Sequence, residues 1–143
     1  PPDPAMAPDT GILTHPRIDR ALCGEPVALG AGTATVRLLT TAAMAADERG
    51  LVHGGFVFGA ADYAAMLAVN DPHVVLASSE CKFLAPVVAG QLVVLVADVS
   101  EARGRKHKVR VQGMEGERLV FEGSFQAVVL DRHVLDPAPA AAT

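Results

Sequence analysis

The sequence predicts an α+β fold in which one long apolar helix is wrapped by a five-stranded antiparallel sheet and is preceded by a short N-terminal helix. The stretch from 54 to 69 is apolar throughout except for Asp62. A helix that is apolar all round must be buried on most of its sides. Alternating, strand-length segments stand on both sides of this stretch, and a sheet that curls around the helix can cover it.

The bulk properties indicate a single domain with a sizeable core. The chain has 143 residues, of which half are hydrophobic, and its net charge is −4. An acidic balance disfavours a nucleic-acid partner, which needs a clustered basic surface. Cys23 and Cys81 have no metal-ligand spacing, so we expect free thiols and no metal. Without a signal peptide or an apolar run of about 20 residues, we expect a soluble cytoplasmic protein with no membrane partner.

The elements before the long helix follow from local signals. Residues 1–11 contain four prolines and are predicted to form an extended arm. Thr14 is a candidate cap for the short helix, and Gly24 stands where it would end. From 27 to 41 the residues alternate as in one half-buried strand, whose glycines allow a bulge or a bend.

The segments after the helix are all predicted to be strands. Pro72 ends the helix, because proline cannot continue its hydrogen bonds. Turn residues then recur about every dozen positions, which favours a meander of adjacent antiparallel strands. The four predicted strands are 74–84, 92–101, 106–114 and 118–130. We therefore expect one domain over 12–133 and a flexible tail over 134–143.

Asp62 and two glycines at the start of the helix indicate a small-molecule site. An ionised carboxylate is rarely buried without a partner, because desolvation of the charge is costly. Gly54 and Gly55 allow a ligand to approach backbone N–H groups that a helix start leaves unpaired. The pattern favours a site with an acid or base group and an oxyanion donor. The alternative is a core helix whose Asp62 is bonded to a neighbouring strand.

The residues from His53 to Asp62 resemble a known signature. His-Gly-Gly at 53–55, followed by Asp62, is similar to the active-site pattern of hotdog-fold acyl-CoA thioesterases, in particular the phenylacetic-acid-degradation type. The resemblance extends over about 27–130 and agrees with the predicted helix and sheet. Three further features match the same family: Gly50, Asn70, and the segment 83–90, which reads Phe-Leu-Ala-Pro-x-x-x-Gly.

The resemblance implies a mechanism for thioester hydrolysis without a metal or a cofactor. The N–H of Gly54, with Gly55 as a possible second donor, would bind the thioester carbonyl oxygen as charge develops there. Asp62 would act as general base on a water, or would attack directly and give a mixed anhydride. His53 would orient the loop or the carbonyl; alternatively it only caps the helix.

Geometry and resemblance both favour a homo-oligomer. Asp62 lies eight positions after Gly54, roughly 12 Å along a helix, so one helix cannot bring both groups to one thioester. The resemblance implies that two domains pair side by side into a ten-stranded sheet with two sites at the dimer interface. It also implies dimers or tetramers and an acyl-CoA or acyl carrier protein substrate.

One position departs from the family pattern. Many relatives have Asn six residues before the His, whereas this chain has Asp47. A second carboxylate near Asp62 would raise one of the two pKa values. Alternatively, Asp47 pairs with Arg49 on the loop. Some relatives have Ser or Thr where this chain has Leu76, so a hydroxyl that assists the reaction is not expected there.

Two further sets of residues are predicted to contact the substrate. The acyl pocket is expected to be lined by Tyr63, Phe58 and Met66 on the long helix. The basic residues Arg103, Arg105 and Lys106 suit coenzyme A phosphates; alternatively they form a solvated hairpin tip.

The sequence therefore predicts an acyl-CoA thioesterase that acts on a small or medium acyl or aryl group. The first alternative is a non-catalytic acyl-CoA-binding hotdog module, which would not need Asp62. A hotdog dehydratase or hydratase is less favoured, because the chain lacks the His-containing Pro-Gly loop of those enzymes. The acyl group itself is not predicted.

Overall fold

A six-stranded antiparallel sheet curves around one long helix in the computed structural model, which describes residues 11–137. The predicted arm, apart from Gly11, and the last six residues of the predicted tail lie outside the described residues. The elements are α1 (Arg20–Cys23), β1 (Glu25–Gly30), β2 (Thr33–Leu39), α2 (Gly54–Val69), β3 (Val74–Phe83), β4 (Leu92–Arg103), β5 (Lys106–Glu115) and β6 (Arg118–Val129).

The core lies between α2 and the concave face of the sheet. Alternate residues of β2 and β4 point towards the helix, and Phe121 and Phe125 of β6 are fully buried against it. α2 ends at Asn70, whose backbone adopts the left-handed conformation (φ 53°, ψ 53°). None of the helices in residues 11–137 is long and apolar enough to cross a membrane. The predicted helix wrapped by a sheet is thus confirmed.

The sheet has six strands because the segment predicted as one strand over 27–41 is a hairpin. β1 and β2 pair antiparallel, with Gly30 opposite Thr33, so the chain reverses at Ala31-Gly32. Gly32 has φ 75°, which residues with a side chain rarely adopt. The prediction of one continuous strand was wrong, because the alternating pattern continues on both sides of a tight turn.

The prediction that β3 is the first strand of a four-strand meander was also wrong. The strand order is β1-β2-β4-β5-β6-β3, so only β4, β5 and β6 form a meander. β3 pairs with β6 at the far edge of the sheet. The segment 84–91 therefore crosses from that edge to β4, where Thr40 N–H donates a hydrogen bond to Gln91 O at 3.0 Å. On its way it passes the start of α2, since Ala89 N–H donates to Gly50 O at 2.8 Å.

The short helix begins later than predicted. Asp19, not Thr14, caps it, and its Oδ1 accepts hydrogen bonds from Ala21 N–H (2.8 Å) and Leu22 N–H (3.2 Å). Thr14 is buried instead, and its hydroxyl is hydrogen-bonded to the ring of His15. The helix ends at Gly24 as predicted.

Candidate active site

The start of α2 presents unpaired backbone donors. His53 is the N-cap, its backbone is extended (φ −63°, ψ 127°), and its side chain makes no capping bond. The first described hydrogen bond at this end is from Phe56 N–H to His53 O, at 3.1 Å. Within residues 11–137, the N–H groups of Gly54 and Gly55 have no partner. Together with the helix dipole they form a position suited to a partial negative charge.

Both positions need glycine because ring side chains lie against them. A Cβ on Gly54 would be 3.1 Å from the ring of Phe83, and a Cβ on Gly55 would be 2.9 Å from Nε2 of His53. The imidazole of His53 is exposed and meets the ring of Phe56 edge-on. The side chain of His53 therefore lies over the second glycine, beside the open donors.

Asp62 lies two turns further along α2 and is partly buried. Its Oδ1 is shielded from solvent and has no hydrogen-bond partner in the described part of the chain. Burial raises the pKa of this carboxyl from 3.8 to about 6. Nothing in residues 11–137 supports the alternative in which a neighbouring strand donates a hydrogen bond to Asp62.

Cys23 of α1 is close enough to Asp62 for their charges to interact. Burial, followed by the charges of Asp19 and Asp62, raises the pKa of its thiol. The sequence did not indicate this neighbour, because α1 reaches α2 only through the packing of the N-terminal segment. Cys23 therefore belongs to the surroundings of the candidate acid-base group.

The burial of Asp62 predicts that replacement by Asn stabilises the folded protein at neutral and alkaline pH. Because the folded-state pKa is raised, the charged carboxylate opposes folding above about pH 6. A rise of about 2 units corresponds to at most about 3 kcal/mol. We expect Asp62→Asn to raise the free energy of unfolding by about 1 to 3 kcal/mol at pH 8. Urea denaturation at pH 8 and pH 4 measures the difference.

This gain should shrink as the pH falls from 6 to 4, because the wild-type carboxyl then becomes protonated in the folded state and no buried charge remains. Glu117→Gln, an exposed change in the turn between β5 and β6, is the control and should change little at either pH. An equal gain at both values of pH would show that burial of the charge is not its cause.

One chain does not bring the acid-base group and the donors together. Asp62 and Gly54 lie on the same helix, roughly 12 Å apart along its axis. A thioester carbonyl on the N–H of Gly54 is therefore out of reach of the same chain's Asp62.

An apolar pocket of about 440 Å³ opens beside the start of α2. The sequence does not indicate this pocket, because its walls come from four separate stretches of the chain. They are the residues before α2, its first turn, the end of β3 with the crossing segment, and β6. The lining residues are Leu51, Val52, Gly54, Val57, Phe83, Leu84, Ala85, Pro86, Val87 and Val120.

The three residues predicted to line the acyl pocket lie elsewhere. Tyr63 and Met66 are each 1% exposed and are enclosed in the core, so in the single chain they offer a ligand no contact. Phe58 is partly buried and packs on Phe125, with ring centroids 5.6 Å apart. Their role in lining an acyl pocket with a second copy of the chain stays a prediction.

The basic residues predicted to hold phosphates lie at the opposite end of the domain from Gly54. Arg103 and Lys106 face each other across the β4–β5 hairpin, level with the start of β3 and therefore with the end of α2. Arg105 is ion-paired with Asp131. Within one chain these cations do not contribute to the site at the helix start.

Asp47 shapes the loop that leads to His53. Its Oδ1 accepts hydrogen bonds from Arg49 N–H (2.9 Å) and Leu51 N–H (3.1 Å). The predicted contact with Arg49 is thus made with the backbone, not with the guanidinium. A role of Asp47 as a second carboxylate in the site stays a prediction.

Asn70 has a structural role that the sequence did not indicate. Its side-chain amide donates to Gly11 O (2.7 Å), and its Oδ1 accepts from Leu13 N–H (2.9 Å). The end of α2 is thereby tied to the N-terminal segment, in which His15 lies against Tyr63 with ring centroids 5.9 Å apart.

Comparisons with known proteins agree with the fold. The model of the thioesterase superfamily matches residues 49–122. An uncharacterized protein, PH1136 from Pyrococcus horikoshii, is 48% identical, with a TM-score of 0.86 over 87% of this chain and 96% of that one. Cj0977, a sigma28-regulated virulence protein from Campylobacter jejuni, is 33% identical, with a TM-score of 0.86 over 88% and 89% of the two chains. The E. coli PaaI protein from the phenylacetic acid degradation operon is 23% identical (TM-score 0.72, over 78% and 82%) and shows likeness of fold alone.

The chain spans only part of the curated relatives that it matches. Methylthioribose-1-phosphate isomerase of Aquifex aeolicus is 53% identical over 119 residues, which are 83% of this chain but 26% of that protein. The transcription factor FapR of Caldanaerobacter subterraneus subsp. tengcongensis is 29% identical over 85 residues, or 59% and 42% of the two chains. These two proteins are about two to four times as long as the matched segments.

Proposed function

This chain belongs to the thioesterase superfamily and has the hotdog fold, and on that premise we propose that it hydrolyses an acyl-CoA thioester to a carboxylic acid and free coenzyme A. The observation that carries the proposal is the pair of features on α2. Its first N–H groups are open, and Asp62 is a partly buried carboxyl without a described partner.

The two features have complementary roles in the proposed reaction. The thioester carbonyl oxygen accepts a hydrogen bond from Gly54 N–H, and the helix dipole stabilises the negative charge that develops there. Asp62 takes a proton from water as the water oxygen attacks the carbonyl carbon, or it attacks the carbon itself and the resulting anhydride is hydrolysed. In both routes the C–S bond breaks as the tetrahedral intermediate collapses, and the thiolate leaves with the bonding electrons and is protonated; where Asp62 is the nucleophile, this step forms the anhydride and precedes its hydrolysis.

The proposed site needs a second copy of the chain, for which β3 is the available edge. β3 has one neighbour in the sheet, β6, and its outward residues Ser78, Glu80 and Lys82 are exposed. Antiparallel pairing of two β3 strands would give hydrogen-bond partners to the backbone N–H and C=O groups at this edge. It would also place two α2 helices side by side in opposite directions. Since each chain has six strands, the sheet of such a dimer has twelve strands instead of the predicted ten.

The test is release of free thiol from acetyl-, hexanoyl-, octanoyl- and phenylacetyl-CoA by the wild type and by Asp62→Asn. We expect turnover by the wild type and none by the variant. The pH profile of kcat/KM should rise through an apparent pKa of about 6, because the base form of Asp62 is needed. Glu117→Gln is the matched control. No turnover of any thioester by the wild type would refute the hydrolase, and full activity of Asp62→Asn would refute the role of Asp62.

A non-catalytic acyl-CoA-binding module is the second candidate, and the match to a transcription factor favours it. Such a module would bind the same thioesters without releasing thiol. Its affinity would be unchanged or improved in Asp62→Asn, because the variant removes a buried charge. Isothermal titration with hexanoyl-CoA, run beside the thiol assay, separates the two functions.

A further inference from the structure

The apolar pocket beside Gly54 has a rim and a floor made almost wholly of hydrocarbon. Leu51, Phe83 and Leu84 form the rim, with 41%, 55% and 46% of their surfaces exposed. Val57 and Val120 form the floor and are only 4% and 2% exposed. Large exposed apolar side chains grouped around one opening are uncommon on a protein surface and indicate a binding site.

The backbone groups in the pocket wall are already engaged with the protein. Val52 N–H donates to Val87 O at 2.8 Å, and Leu84 N–H donates to Val120 O at the same distance. The N–H of Leu51 is bonded to Asp47, and the carbonyl of Pro86 accepts from the guanidinium of Arg118. A polar ligand would therefore find few hydrogen-bond partners here, whereas the N–H of Gly54 has none in the described structure and is free to donate.

We propose that this pocket holds the acyl group, and that the substrate is a hydrocarbon acyl thioester, aliphatic or aryl, without polar or charged substituents. The inference rests on the proposed function, since a carbonyl oxygen on Gly54 N–H leaves the acyl group next to the pocket opening. The phosphates of coenzyme A do not fit the same space, because no cation is among its lining residues.

The first test compares thioesters of matched length. Hexanoyl-CoA should exceed adipoyl-CoA in kcat/KM by about 100-fold or more, because adipoyl carries a carboxylate into the apolar pocket. Phenylacetyl-CoA should exceed 4-hydroxyphenylacetyl-CoA by about tenfold. Between acetyl and hexanoyl, each added methylene should raise kcat/KM roughly fourfold. Equal rates within the pairs, or preference for the polar member, would overturn the inference.

A pocket-filling variant tests the location. Ala85→Leu adds a larger side chain to the partly buried pocket wall, and Ala102→Leu makes the same change at an exposed position near the far end of β4. Ala85→Leu should lower kcat/KM for hexanoyl-CoA about tenfold more than kcat/KM for acetyl-CoA. The control should affect neither substrate. An equal loss for both substrates, or no loss, would show that the acyl group binds elsewhere.

The same pairs separate failure of this inference from failure of the hydrolase. If no thioester is cleaved, the hydrolase is refuted, and the Kd of Asp62→Asn for hexanoyl-CoA and adipoyl-CoA still decides the pocket's preference. A ratio of Kd values near one overturns the acyl assignment. If thioesters are cleaved but the polar member is preferred, only the acyl assignment fails.

Discussion

Gly54→Pro should lower kcat about 10²- to 10³-fold relative to Gly54→Ala, with little change in folding, because only the proline variant lacks the N–H donor. Removal of one oxyanion donor costs about 2.7 to 4 kcal/mol of transition-state stabilisation. Proline is well tolerated at the first position of a helix. The residue before it must be extended, and the backbone of His53 already is (φ −63°, ψ 127°).

Gly54→Ala is the matched control because both variants add a Cβ at the position 3.1 Å from the ring of Phe83. Any loss due to displacement of this exposed ring is therefore shared by the two proteins. The measurements are kcat and KM for hexanoyl-CoA, with helix content and Tm from circular dichroism. Equal kcat values for Gly54→Pro and Gly54→Ala would exclude the N–H of Gly54 as the donor.

Co-expression of two inactive variants, Asp62→Asn and Gly54→Pro, should restore about one quarter of wild-type activity. In a dimer with shared sites, each site combines Gly54 of one chain with Asp62 of the other. Random assembly gives about one half mixed dimers, and each of these has one site with both groups intact. Each variant alone has both of its sites damaged.

The two chains carry different affinity tags so that the mixed dimer can be purified. Its kcat per dimer should be about one half of the wild-type value. Asp62→Asn co-expressed with a chain that carries both substitutions is the control and should stay at background. Background activity of the purified mixed dimer, or a monomer by sedimentation at micromolar concentration, would exclude the shared site.

The fold was largely predictable because its main signals are local. An apolar stretch with one charge indicates a buried helix, and turn residues mark the strand ends. The errors occur where the local sequence is compatible with two different structures. Gly30 and Gly32 suit both a bulge and a hairpin, and the alternation is the same on either side. The path of the segment 84–91 depends on which strand pairing covers α2 best. The spacing of the turn residues carries no information about that pairing.

The site residues on α2 and at its start were predictable from the sequence, whereas the residues of the pocket wall were not. His53, Gly54 and Asp62 lie on one short stretch of sequence, so their spacing indicates where each of them stands on the helix. The pocket wall joins Leu51, Phe83 and Val120, which approach each other only through the crossing segment and the pairing of β3 with β6. Residues on the open side of α2 could not be predicted either, because a helix that is apolar all round has no polar face to indicate solvent.

The pairing of β3 with β6 also bears on synthesis of the chain. The partners of β3 follow it by roughly 40 to 55 residues. At ribosomal rates of about 5 to 20 residues per second, a nascent chain spends several seconds with α2 and β3 made and β6 missing. During that time the apolar helix α2 has no closed sheet around it. The sheet around α2 therefore closes only after β6 has been made, and until then the apolar helix can contact other apolar surfaces.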